Sequence, residues 1–441
     1  QPTQDLSQFR VRFEALGTTP GNGTLAALRG TALARFEATG FPTIRHEDWK
    51  YTNLKALRGI AFGAADPAAA ERVDAAAVDA FRFGGLACAH LVFVNGRFAA
   101  PLSLVGDLPA GVTVCSLTEA LERDSAGVAG RLGSRLEADR TPFTALNTAL
   151  FEDGAFVHVP RGVSLDTVIH VLHLATAEGA PTDAHPRSVF VVEDGASATV
   201  VEDFAALAPG AYLTNAVTEV EVGENASLHH HSLVRESDDA FHVGYLDVHL
   251  ARASRFVSHS VSTGGKLVRN NVHAVLDGEG IDCTLNGLVI GSGDEHIDNQ
   301  TRIVHAKPHC DSHELYKAIL DDRAVGVFNG KIYVEQDAQK TDAKQSNHAL
   351  LLTREAQINS KPELEIYADD VKCTHGATVG RLDREALFYL RSRGISRNDA
   401  ENLLTLAFAS DVVERISVEP IREEVEKLLY AKLPQAKEIR E

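Results

Sequence analysis

The segment DDVKCTHGATVG holds Cys373 and His375 two positions apart. On a β-strand alternate side chains leave the same face, so this thiol and imidazole would stand together with their β-carbons about 7 Å apart. Thiolate plus imidazole is a borderline-soft donor pair suited to iron, zinc or copper(I). Two ligands do not close a tetrahedral site, so the rest must come from elsewhere in the fold or from a second chain. The competing structural assignment makes Cys373 a buried small hydrophobe and His375 a hydrogen-bonded turn residue. A second thiol–imidazole segment is KPHCDSHELY. If extended, it puts His309 and Cys310 on opposite faces, with His309, Asp311 and His313 sharing one.

Histidine is otherwise clustered: 17 of the 19 lie from His158 to His375, with His229, His230 and His231 in a row. Strand alternation sends neighbours in such a run to opposite faces, so the three rings cannot meet on one metal, and structural roles on adjacent strands are expected. The pairs Asp321 with Asp322 and Asp369 with Asp370 have the composition of acid/base sites, but they precede turn signals, which predicts solvated turn residues. The chain has no Gly-x-x-x-x-Gly-Lys-[Ser/Thr] loop, no Gly-x-Ser-x-Gly elbow, no His-Glu-x-x-His and no Gly-x-Gly-x-x-Gly at a strand-to-helix turn. Any nucleotide energy would therefore come from another subunit.

A long β region must position these groups. From about His90 to residue 382 the sequence runs in short β-branched stretches such as HLVFVNGRF and SVFVVEDGASATVVED, punctuated by Gly, Asn and Asp. A small or polar residue recurs after the turns at Ser164, Ser197, Ser227, Ser254, Asp282, Asp311, Asp342 and Lys372, in steps of 33, 30, 27, 28, 29, 31 and 30. Such a period, with strands inside each unit, predicts a solenoid of parallel strands in which every coil buries its inward side chains against the coils above and below. An all-β sandwich with regularly spaced turns is the alternative. Leucine-rich repeats share the period, but their Leu/Asn ladder is missing.

Helical periodicity frames this region. TLAALRGTALARFEATG lies before it and ISRNDAENLLTLAFASDVVERI after it, the latter with Ser396 as N-cap and Leu403, Leu404, Ala407, Phe408, Val412 and Ile416 on one side. Tail helices of this kind either cover the open strand edge of a solenoid or form a docking platform for a partner. The expected fold is mainly β: a parallel β-helix core over 86–380, an N-terminal helical domain over 1–85 and a C-terminal helical domain over 381–441.

The composition, 441 residues with a net charge of −18, repels phosphate backbones and anionic lipid, so neither nucleic acid nor membrane is an expected partner. No window approaches the roughly 20 apolar residues of a membrane span. Five scattered cysteines without a Cys-x-x-Cys pair argue against a disulfide framework and predict reduced thiols in the cytoplasm.

The stretch GKIYVEQDAQKTDAKQSNHALLLTREAQINSKPELEIYADDVKCTHGATVGRLDREALFYLRSRGI (330–395) resembles the SufD family of iron–sulfur cluster assembly proteins, and HEDWKYTNL (46–54) is similar to that family's N-terminal signature. The likeness spans the chain in order. It implies a right-handed parallel β-helix flanked by helical domains, acting as a non-enzymatic scaffold. It also implies pairing with a SufB-like paralogue and binding of a SufC-like ATPase, mainly through the C-terminal helices. A transient iron–sulfur cluster or iron would sit at the interface with SufB, reduced flavin is associated with the assembled complex, and nucleotide is left to SufC. The family's Lys-Cys-x-His-Gly-Ala-Thr motif falls on Lys372, Cys373, Thr374, His375, Gly376, Ala377 and Thr378. Its His is similar to a proposed cluster or iron ligand, so the resemblance makes His375 the leading metal-site residue, with Cys373 as its companion. SufB-like members carry a cysteine in the preceding coil and a His-Glu pair. Here AKQSNHALL has no cysteine and Gly376 follows His375, departures that fit SufD and imply an incomplete ligand set. Two rival expectations are a β-helix enzyme acting on polysaccharides through acidic groove residues, and a metal-free homodimer joined through its β edges.

Overall fold

The computed structural model describes residues 6–16, 23–134, 141–177 and 179–433. Parts of the predicted N-terminal region (1–5 and 17–22) and the end of the C-terminal one (434–441) lie outside the described residues. The core is a parallel β-solenoid of about seven turns. One sheet stacks, in order, Cys88–Val94, Val168–Ala175, Ser197–Ala206, Ser227–Arg235, Arg255–Ser262, Asp282–Gly291, Asp311–Leu320, Asp342–Leu351 and Lys372–Gly380, all parallel. The facing sheet runs from Ala155–Val159 through Arg187–Val192, Tyr212–Val222, Phe241–Leu250, Leu267–Leu276, His296–His305 and Val325–Val334 to Gln357–Ile366.

The period read from the sequence is the register of the first sheet. Ser197, Ser227, Arg255, Asp282, Asp311, Asp342 and Lys372 are successive Cα partners, and Ser164 bridges to Ser197. Only Ser254 is off by one: it is buried in the preceding turn, where its hydroxyl donates to the Ala251 carbonyl at 2.6 Å. The turns are fixed by a left-handed residue two positions before the strand starts from Ser197 to Asp342: Gly195 (φ 67), Asn225 (φ 55), Ala253 (φ 54), Gly280 (φ 72), His309 (φ 59) and Lys340 (φ 65). Gly and Asn adopt that conformation most easily, which is why they punctuate the sequence, whereas Ala253 holds it against a Cβ clash. Stacked turns also bind one another, with the amides of Asn225 and Ala253 donating to the Arg252 and Glu279 carbonyls.

Inward positions form columns through the coils. One reads Ala198, Leu228, Phe256, Cys283, Ser312, Ala343, Cys373, and the next reads Val200, His230, Ser258, Leu285, Glu314, Gln345, His375. Parallel sheets covered on both faces read as near-continuous apolar runs, and this solenoid is covered on both outer faces. N-terminal helices Ser7–Ala15 and Gly23–Thr39, with Pro142–Leu150, bury Phe9, Phe36, Phe41 and Phe143 against Leu213, Phe241 and Leu267 of one sheet. On the other sheet, Val412, Val413 and Ile416 of the Arg397–Val413 helix and its C-terminal turn, and Ile421, Val425 and Leu429 of Glu419–Lys432, pack on Val201, Leu233, Val261, Leu288 and Leu315. The tail helices therefore lie on a sheet face and leave the last strand edge open. Their apolar stripe matches the outward valines and leucines of the middle coils, and the terminal coil offers no equivalent stripe. No helix among the described residues is long and apolar enough to cross a membrane.

The HEDWKYTNL segment fastens the N-terminal region to the solenoid. Trp49 lies over the Arg269 guanidinium at 3.9 Å, Arg269 donates to Asp298 at 2.5 Å, and the Thr52 hydroxyl donates to the same carboxylate at 2.5 Å.

Candidate functional site at the open end of the solenoid

Cys373 and His375 both stand on the last strand, Lys372–Gly380, with Ala343 and Gln345 as their register partners one coil below. Those partners are buried and face inward, so the same alternation turns Cys373 and His375 toward the lumen at its uncapped end. Cys373 is half-buried and packs against the cluster of Ile332, Val334, Ala338, Ala343 and Ala368. That burial pushes its thiol pKa up, a cost that coordination to a metal would remove by stabilising the thiolate. His375 is exposed. Among the described residues no group of three or more His, Cys, Asp and Glu is placed to hold a metal ion, so Cys373 and His375 do not form a metal site by themselves.

Both terminal strands share this openness. Lys372–Gly380 and Gln357–Ile366 each end their sheet and have no partner on the far side among the described residues. Neither contains a buried residue, in contrast to Asp342–Leu351 just beneath. Val379, Ile366 and Tyr367 are large apolar side chains exposed at this end. Unpaired edges carrying apolar side chains are a template for another chain.

Beneath the half-site lies a buried polar column. The Gln345 amide donates to the Glu314 carboxylate across one coil. Burial pushes the Glu314 pKa up to about 7, against the opposing hydrogen bonds from Gln345 and Thr301. Neither residue carries a local sequence signal. Counting back one and two repeats from His375 reaches them, but only once the inward face is known.

The other sequence candidates separate. His309 occupies the left-handed turn position and is exposed, so KPHCDSHELY is not extended there. Cys310 turns into the core and donates to the Gly278 carbonyl at 3.1 Å, while Asp311 and His313 fall on the outer face. This segment forms no thiol–imidazole pair, because the αL residue breaks strand alternation. In the histidine run, His230 faces inward and bonds Glu202 at 2.9 Å and Ser258 at 3.2 Å. His231 faces outward and stacks on His259 with ring centroids 5.2 Å apart. The run thus splits between the two faces. Asp322 takes a turn conformation (φ 51), and Asp370 is an exposed turn residue paired with Lys340.

An outer groove of about 420 Å³ is lined by Arg131, Arg161, Glu193, Asp194, Glu221 and Asp277. Its acids are paired: Glu193 with His158 at 2.9 Å, Asp194 with Arg161 at 2.7 Å and Glu221 with Arg131 at 2.5 Å. The His158 hydrogen bond holds the Glu193 pKa below the usual carboxylate range. A glycoside-cleaving acid needs a raised pKa, and Glu193 is shifted the other way.

The C-terminal helices carry a second uncovered surface. Arg384–Ser392 has no buried residue, and Phe388 and Tyr389 are 75% and 58% exposed. The adjoining Arg397–Val413 helix is clamped to the solenoid by Lys317. Its ammonium donates to the Phe408 carbonyl at 2.9 Å, pairs with Asp411 at 3.0 Å and lies over the Phe408 ring at 4.7 Å.

A parallel β-solenoid with helical flanks and an open terminal coil defines the class of fold, and sequence comparison places the chain within it. Residues 173–408 match the family described as SUF system FeS cluster assembly, SufBD core domain, and residues 13–171 match the SufBD protein N-terminal region. The chain belongs to the SufBD family of iron–sulfur cluster assembly proteins. Within that family it is 34% identical over 432 residues to the iron–sulfur cluster assembly protein SufD of Escherichia coli, covering 97% of both chains. A SufBD family protein of Synechocystis is 36% identical over 383 residues, covering 85% of this chain and 84% of the relative. SufD of Bacillus subtilis is 28% identical over 302 residues, 68% of each. The chain is a SufD-type member, with a role in iron–sulfur cluster assembly in the SUF system.

Proposed function

We propose that this chain is the SufD-type scaffold subunit of a complex with a SufB-like paralogue and a SufC-like ATPase. His375 and Cys373 contribute ligands to a transient cluster or iron at the seam with SufB. The observation that carries this reading is the placement of both donors on the inward face of an uncapped terminal coil, where one chain supplies only half of a coordination sphere. A second chain adding strands along Gln357–Ile366 and Lys372–Gly380 would cap the lumen and bring the missing donors. Incomplete coordination makes cluster binding depend on the seam, so opening the seam releases the cargo.

The regions 1–85, 86–380 and 381–441 divide the work: anchoring, the β scaffold and its site, and ATPase docking. The uncovered Phe388 and Tyr389 face suits a partner helix or groove, and SufC carries the nucleotide. Lys317 gives movement of the docked helices a path into the solenoid, because its strand also carries Glu314, two coils below His375. Replacing His375 by Ala in chain co-expressed with SufB and SufC should abolish anaerobic cluster accumulation while the complex still assembles. Unchanged iron and sulfide on the variant complex would remove His375 from the mechanism.

The same open edge favours a second arrangement for the isolated chain, a homodimer joined through its terminal strands. In light scattering, the dimer should give way to a heteromeric complex on addition of SufB.

A further inference from the structure

We propose that Gln345 is the positioning residue of the terminal site: it fixes the ring orientation and tautomer of His375. Gln345 is the Cα partner of His375 on the adjacent strand, and both occupy the same inward column. Its side chain is 1% exposed and crosses the lumen to the facing sheet. A Cβ added at Gly330 would sit 2.2 Å from its Nε2 and 2.7 Å from the Phe328 ring, so glycine at 330 leaves it one berth. Nε2 donates to Glu314 in the coil below. The Glu314 carboxylate accepts in this contact, which turns the Nε2 end of the amide toward it. The Gln345 Oε1 is buried without a hydrogen-bond partner among the described residues.

A buried acceptor left unmade is costly, and the next group along the column is the His375 imidazole. An N–H of that ring donating to Oε1 leaves the other nitrogen unprotonated and aimed outward at the seam. A metal-ligating histidine needs this arrangement, since the hydrogen bond on one nitrogen selects the tautomer that frees the other. Glu314 serves as the anchor that orients Gln345.

The inference rests on the reading of His375 as a ligand, but its first test does not. In the intact chain labelled with 15N-histidine, long-range proton–nitrogen spectra assigned by His375→Ala should show one dominant neutral tautomer for His375. Gln345→Met keeps the volume and removes the acceptor, and should return the ring to the tautomer mixture of free imidazole. Glu314→Gln keeps an acceptor for Nε2 and should leave the single tautomer in place. In the complex with SufB and SufC, Gln345→Met should weaken iron binding about 10- to 100-fold, the usual effect of losing such a partner. A free-imidazole mixture in the parent chain, or a single tautomer that survives Gln345→Met, overturns the proposal. If the tautomer is fixed by Gln345 and His375→Ala still accumulates cluster, the ligand reading fails while the hydrogen bond stands.

Discussion

The joint between the HEDWKYTNL segment and the solenoid allows a quantitative prediction. Arg269 is 2% exposed, and its charge is met by Asp298, which is wholly buried. Asp298 accepts from three donors: Arg269 at 2.5 Å, the Thr52 hydroxyl at 2.5 Å and the Gln300 amide at 2.7 Å. Replacing Asp298 by Ala leaves a buried guanidinium without its carboxylate and removes the acceptor shared by the Thr52 hydroxyl and the Gln300 amide. Breaking a buried pair from one side costs about 3–5 kcal/mol, far more than a surface pair is worth. Much of that cost is the orphaned charge, so the double change Arg269→Met with Asp298→Leu should recover most of it. The assay is urea unfolding followed by far-UV circular dichroism and by the fluorescence of Trp49, the sole tryptophan, whose ring lies over Arg269. The expected result is an early fluorescence transition in Asp298→Ala, as the N-terminal region detaches before the solenoid melts. A loss below about 1 kcal/mol, the range of an exposed pair, would refute the reasoning, as would a double variant no more stable than the single one.

Two other outcomes follow from buried charge and buried rings. Lys317→Met should free the Arg397–Val413 helix by removing charged hydrogen bonds of about 1.5–3 kcal/mol. Faster amide exchange confined to that helix and its neighbour is expected, and unchanged exchange would disprove the clamp. Burial lowers the pKa of His173, His259 and His305 to about 4 from an ordinary 6.5. The folded state keeps them neutral while the unfolded chain takes up protons, so their contribution is intact above about pH 6.5. It is lost as pH falls toward 4, at about 1.4 kcal/mol per pH unit for each group. A urea midpoint that stays flat between pH 7 and pH 5 would contradict this.

The fold was legible because its signal is local and repeated. A left-handed residue at the turns from Gly195 to Lys340 demands Gly or Asn often enough to mark the period, and the strand-start residues keep one register from Ser164 to Lys372. Ser254 and His309 were misplaced for one reason: a residue at positive φ shifts alternation locally, and neither Ala253 nor His309 advertises that conformation in sequence. The pairing of Cys373 with His375 needed only their spacing, since strand alternation is a property of the backbone. Gln345 and Glu314 were invisible, because a polar residue thirty or sixty positions away becomes a neighbour only when coils stack in register.

Sequence alone therefore determined the repeat, the strand character and the two donors on one face, all of which follow from short-range backbone geometry. Tertiary structure decided which face is the inside, that the tail helices lie on a sheet and leave the end uncovered, and which buried groups lie beneath Cys373 and His375. Those outcomes depend on contacts between residues far apart in the chain, where the free energy of burial is set by what the fold brings opposite each side chain and not by its neighbours in sequence.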